Sequence, residues 1–141
     1  MFLLDTDVLS AVRRRERHPA VVLWLEAQRT TDMYLSVVTI GEVERGIARQ
    51  RRRDPTFAVE LASWLDRVMS RYAERVLPID VAAARRWGQL SSEIGHDSPD
   101  LLIAATALER GLTVVTRNTG HFEPTGVAVL NPFDDPDGAL E

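Results

Sequence analysis

Five short apolar runs, each about the length of one strand, alternate along this chain with stretches whose apolar residues recur at helical spacing. The runs are Phe2 to Asp5, Met33 to Val38, Val76 to Ile79, Leu112 to Thr116 and Val127 to Leu130. Strands alternating with helices predict an α/β fold, a three-layer α/β/α sandwich around a mostly parallel sheet. At 141 residues the chain is expected to form one domain over residues 1–133, large enough for a proper core. The remaining tail, 134–141, is acidic, contains Pro and Gly, and is expected to fray.

The helical stretches have recognisable ends. Val8, Leu9 and Val12 mark a helix after the first strand, and Pro19 opens a second carrying Val21, Val22 and Leu25. Ile40, Val43 and Ile47 predict a helix from near Thr39 into Arg49–Arg53, and Asp54-Pro55 restarts one with a stripe of Phe57, Leu61, Trp64, Val68 and Tyr72. Asp80 caps a helix through Ala83, Trp87, Leu90 and Ile94, closed by Gly95. Ser98-Pro99 opens another, apolar nearly all round, that Gly111 ends.

In open parallel sheets, ligands bind beyond the carboxyl ends of the strands, near the switch in strand order. Asp5 and Asn118 fall at predicted strand ends, and Glu42 and Asp100 at predicted helix starts, so all four can line one crevice. Each has an ordinary explanation too. Asp5 suits a helix cap, Thr39 and Glu42 suit a capping box, Asp100 suits a helix dipole, and Asn118 suits a turn. Together they are harder to dismiss, because carboxylates converging at about 5 Å repel by about 3 kcal/mol per pair at an effective dielectric near 20. Protons or cations must relieve such crowding.

Composition narrows the choice of cation. There is no cysteine, which removes disulfides, thiolate zinc sites and thiol catalysis. His18, His96 and His121 are far apart in sequence and are expected at the surface or in turns. Oxygen ligands without Cys or a His pair favour Mg2+, with Mn2+ as a substitute, over zinc. Asp7 and Asp97 are second-tier candidates. The first apolar run is interrupted by Asp5 and Asp7, and no stretch approaches a membrane span, so a cytoplasmic protein with no membrane role is expected. Trp24, Trp64 and Trp87 lie on apolar stripes, which favours core packing over base stacking.

At these same residues the chain resembles the PIN-domain family, in particular the VapC-like toxins of type II toxin–antitoxin modules. The matching stretches are Leu3-Leu4-Asp5-Thr6-Asp7-Val8-Leu9-Ser10, Ser36-Val37-Val38-Thr39-Ile40-Gly41-Glu42-Val43, Asp100-Leu101-Leu102-Ile103-Ala104-Ala105-Thr106-Ala107 and Val114-Val115-Thr116-Arg117-Asn118. They occur in family order and span nearly the whole chain. The resemblance implies a magnesium-dependent endoribonuclease in which Asp5, Glu42 and Asp100 hold metal. Asn118 occupies a fourth catalytic position that is often Asp, and Asp7 stands where Asn is more common. A homodimer is also implied, with a cognate antitoxin that blocks the site and carries DNA binding. Attack by metal-activated water predicts 5′-phosphate and 3′-hydroxyl ends.

RNA approaching an acidic site needs nearby positive charge. The net charge is −4, yet all seventeen basic residues are arginine. Arg13–Arg15, Arg17 and the run Arg45–Arg53 are candidate suppliers, and they are equally suited to an acidic antitoxin segment. Two rivals share the Asp5-Thr6-Asp7 pattern or the layering: an aspartyl-nucleophile phosphatase and a phosphoaspartyl receiver. Both normally use a lysine, which this chain lacks. A catalytically weak or inactive PIN module acting as a binding partner is the alternative that Asn118 keeps open.

Overall fold

The computed structural model describes residues 1–133; the expected tail at 134–141 lies outside the described residues. Five strands, β1 (Phe2–Leu4), β2 (Met33–Ser36), β3 (Val76–Leu77), β4 (Thr113–Val115) and β5 (Val129–Leu130), form one sheet in the order β3-β2-β1-β4-β5. Every pairing is parallel, with Leu3 beside Tyr34 on one side and Val114 on the other. The chain moves outward from β1 through β2 to β3, then crosses back to place β4 on the opposite side of β1. The switch in strand order therefore lies between β1 and β4.

The helices are α1 (Thr6–Arg13), α2 (Pro19–Glu26), α3 (Val37–Arg53), α4 (Pro55–Tyr72), α5 (Val81–Ile94), α6 (Pro99–Arg110) and the single-turn α7 (Thr119–Phe122). Strand side chains alternate between faces, and this divides the core in two. Leu3 and Val114 face a layer built by Leu90 of α5, Ile103 and Ala107 of α6, and Phe122 of α7. Leu4, Leu35 and Val115 face Val8 of α1, Val21 of α2 and Val68 of α4. Helix α3 packs on α4 through Ile47, Ala58 and Leu65.

The expected caps are largely the observed ones. Asp54 and Asp80 accept from the amides of Phe57 and Ala83, and Gly95 and Gly111 close α5 and α6 at φ 92° and 66°, a region that suits Gly. Helix α6 runs over Pro99–Arg110 with Leu101 and Ile103–Ala107 all buried, as its all-round apolarity demands. The three tryptophans pack against the cores, Trp24 meeting Phe2 edge-on at 5.0 Å. No helix among the described residues is long and apolar enough to cross a membrane.

Candidate active site

Strand β1 stops at Leu4, and Asp5 turns the chain into α1. Its amide still donates to Val115 O at 2.9 Å, so the residue is anchored to β4 at the switch point. The residue is 5% exposed, and each carboxylate oxygen accepts one hydrogen bond. Oδ1 accepts from the Thr6 amide at 2.8 Å as the α1 cap, and Oδ2 accepts from the Thr116 hydroxyl at 2.8 Å. The capping role and a place in the crevice are thus held by one side chain. Burial, reinforced by the negative charges of Asp7 and then Asp100, pushes the Asp5 carboxyl up from 3.8 to about 7, against the two hydrogen bonds.

Glu42 sits in the second turn of α3, not at its start. Helix α3 begins at Val37 because the buried Ser36 hydroxyl, at the end of β2, accepts from the Val38 amide at 3.0 Å. That cap forms before Thr39 is reached, so the expected capping box of Thr39 and Glu42 does not form. Thr39 is buried instead, and Glu42 Oε1 accepts from the Thr6 hydroxyl at 2.8 Å. Thr6 therefore serves both acids, its amide on Asp5 and its hydroxyl on Glu42, with Thr39 Oγ1 3.1 Å away.

Asp100 lies in the first turn of α6, as expected, and is half-buried. Its Oδ2 is 3.1 Å from Nδ1 of His121 on α7. Ser98 occupies the cap position without a side-chain bond; its amide donates to His96 Nδ1 at 3.3 Å. Asp97 is exposed between α5 and α6.

Asn118 precedes α7 and is exposed, with a long 3.5 Å contact from Nδ2 to Asp7 Oδ2. Asp7 Oδ2 accepts from the Arg117 amide at 2.9 Å and lies 3.3 Å from the Thr116 hydroxyl. That hydroxyl has one proton, and the shorter contact places it on Asp5. Asp7 thereby ties α1 to the segment after β4, while its Oδ1 is buried without a hydrogen-bond partner. Burial raises the Asp7 carboxyl as well.

The structure thus brings Asp5, Glu42, Asp100 and Asn118 to the carboxyl end of the sheet, with Asp7 among them. Sequence reasoning assigns no such role to the residues that join them: Thr6, Thr39, Thr116 and His121. Three of these lie inside the quoted motifs, and hydroxyls flanking acids at the end of an apolar run were the available signal. Nothing in the spacing marked His121 as a partner of Asp100.

The donor chemistry fits a hard divalent cation, since the acids are all-oxygen and the buried Asp5 is repelled by two neighbours. Among the described residues, however, no three Asp, Glu or His side chains are gathered as a ready ligand cluster. Threonine hydroxyls and His121 hold the carboxylates individually.

Comparison with known proteins places the whole chain, not the individual side chains. A PIN-domain family model matches residues 2–126. VapC ribonuclease Y4jK from Sinorhizobium fredii is 34% identical over 95% of this chain and 99% of its own length. Toxin FitB from Neisseria gonorrhoeae is 35% identical, covering 96% of this chain and all of the relative. The crystal structure of FitAcB from the same organism superposes with a TM-score of 0.83 at 36% identity, over 94% of this chain and 98% of that one. With motifs, sheet order and end-to-end similarity in agreement, the chain belongs to the PIN-domain family.

Proposed function

We propose that this chain is a metal-dependent endoribonuclease, Mg2+ being its cation and Mn2+ a substitute, and that it serves as the toxin of a toxin–antitoxin pair. The observation that carries the reading is the crowding of buried Asp5 at the switch point, where it feels the charges of half-buried Asp7 and Asp100 while Thr6 links it to Glu42. Similarity to a VapC ribonuclease and to a FitB toxin supports the same activity and role.

Asp5 and Asp100 would hold the cation, with Glu42 contributing directly or through a water. Magnesium, when bound, supplies charge neutralisation at a phosphate oxygen and a lowered pKa for a coordinated water. The chain's own residues do the rest. Asp5 keeps a proton near neutrality that a cation must displace, so metal affinity should rise with pH. Thr6 and Thr116 fix both oxygens of Asp5, and Thr6 fixes Glu42, so the carboxylates need little reorganisation. Asn118, through its amide, orients a water or a substrate oxygen without adding charge. Hydrolysis breaks the P–O3′ bond and leaves 5′-phosphate and 3′-hydroxyl ends.

The proposal includes a cytoplasmic homodimer neutralised by a cognate antitoxin, with DNA bound only through that antitoxin. Asn118 and the ungathered acids favour one second reading, a PIN module with weak or no catalysis that acts as a binding partner. RNA-end sequencing after brief expression, with Asp5→Asn and Asp100→Asn as controls, separates the two. Toxicity and new 5′-phosphate ends that disappear in both folded variants support the nuclease. Unchanged cleavage in both would remove the acids from the mechanism.

A further inference from the structure

Helix α3 carries Glu42 into the site and then continues outward for three more turns. Arg45, Arg49 and Arg53 stand three, seven and eleven residues after Glu42, which places them along one side of the helix with it. The opposite side, Ile40, Val43 and Ile47, is the one packed on α4. All three arginines are exposed. Among the described residues they form no ion pair, whereas Arg15, Arg29, Arg86 and Arg110 each pair with an acid. At about 1.5 Å per residue the row extends roughly 16 Å from Glu42.

A second feature of the same face is Gly46, between Arg45 and Arg49. Glycine is a poor interior helix residue, and apart from its chain neighbours and the adjoining helix backbone no atom lies within 4 Å of where its Cβ would stand. Internal packing therefore does not require it. It leaves a gap in the row through which an extended strand can lie close to the helix backbone.

We propose that Arg45, Arg49 and Arg53, with the gap at Gly46, form a track for the sugar–phosphate backbone of single-stranded RNA leading to Glu42. The proposal rests on the endoribonuclease reading above. An acidic peptide is the competing occupant, but a row of isolated cations at helical intervals beginning beside the acidic site suits a repeating phosphate chain better than a compact carboxylate cluster. The track reads charge and not sequence, because it offers no stacking ring and only backbone-type contacts.

The test measures binding of a single-stranded RNA by fluorescence anisotropy, using full-length Asp100→Asn protein so that cleavage does not interfere. Adding Arg49→Gln and Arg53→Gln should weaken binding about tenfold and flatten its dependence on log salt by about two charges. In the active protein the same pair should raise KM far more than it lowers kcat, and more for long RNAs than for an oligonucleotide spanning only the cut. Gly46→Gln should raise the melting temperature yet weaken RNA binding, a combination that a merely structural glycine would not show. Arg85→Gln, on the exposed side of α5, is the charge control.

RNA affinity and salt slope unchanged by the arginine pair, or changed no more than by Arg85→Gln, would overturn the track. Loss of antitoxin binding alone, with RNA binding intact, would also overturn it and assign the row to a protein partner. Row-dependent RNA binding in a protein that never cleaves RNA would support the track and remove the nuclease reading on its own.

Discussion

Asp5 is held where water barely reaches it, and its carboxyl is raised from 3.8 to about 7 by burial, then by Asp7. Below about pH 4 both folded and unfolded chains hold this proton, so no penalty exists. As pH climbs toward 7 the unfolded chain releases its proton while the folded chain keeps it, so stability falls and then levels off. Metal-free protein should therefore lose melting temperature between about pH 4 and pH 7, and Asp5→Asn should flatten that slope and be the more stable protein above pH 7. Parallel slopes for both in a chelated pH series would show that Asp5 is not the group responsible. A second residue-scale expectation concerns Asn118, which touches Asp7 only at 3.5 Å. Asn118→Asp should tighten metal binding where charge is short, and the gain should change when Asp7 is also made Asn. Neighbours in one hydrogen-bond network fail additivity by about 0.5–3 kcal/mol. Calorimetric titration of both single variants and the double variant measures this, and silence of Asn118→Asp in both backgrounds would remove Asn118 from the site.

Element ends set the position of Glu42. The Ser36 hydroxyl starts α3 directly from β2, so Ser36→Ala should cost about 1 kcal/mol in a denaturant titration. Glu42 remains bonded to Thr6, and RNA cleavage should fall only modestly; a denaturation curve that overlays the wild type would deny the cap its role. The same ends explain what was legible beforehand. Pro99 and Gly111 bracket α6 in sequence and in structure, because Pro at a first turn and Gly at a left-handed C-cap are local signals. The sequence pattern sets the start of α3 near Thr39, two residues late, because β-branched Val37 and Val38 read as strand, and the buried cap that overrides them is a tertiary fact. Helix α7 leaves no sequence signal, since four residues, TGHF, carry no period. With it went the contact between His121 and Asp100, which joins residues 21 positions apart and depends on how α6 packs beside β4. The acids themselves were visible because each interrupts apolar sequence; the threonines that hold them were not, since a hydroxyl beside an acid has many uses.

At the scale of the whole molecule, the all-parallel sheet concentrates its unfavourable charge at one end. β1 and β4 deliver Asp5 and the Asn118 segment to the same edge, α3 delivers Glu42, and α6 delivers Asp100. Two hydrophobic layers hold that edge together, so the repulsion among the acids is borne by the global fold and not by a detachable loop. A cation that binds only the folded chain should then stabilise the entire molecule, by about 2.7 kcal/mol when its concentration is one hundred times Kd. For a domain of this size that corresponds to a melting-temperature rise of roughly 5–15 °C. Millimolar-range magnesium or manganese should produce the rise in wild type, and a much smaller one in Asp5→Asn or Asp100→Asn. The effect should also grow as pH is raised past 7, because the metal no longer competes with the Asp5 proton. Calcium offers a further control: a hard cation of larger radius should stabilise the fold by the same charge relief while supporting less cleavage. Melting temperatures that ignore all three cations, together with no heat of binding in calorimetry, would leave the crowded carboxylates to be relieved by protons alone and would return this chain to the binding-module reading.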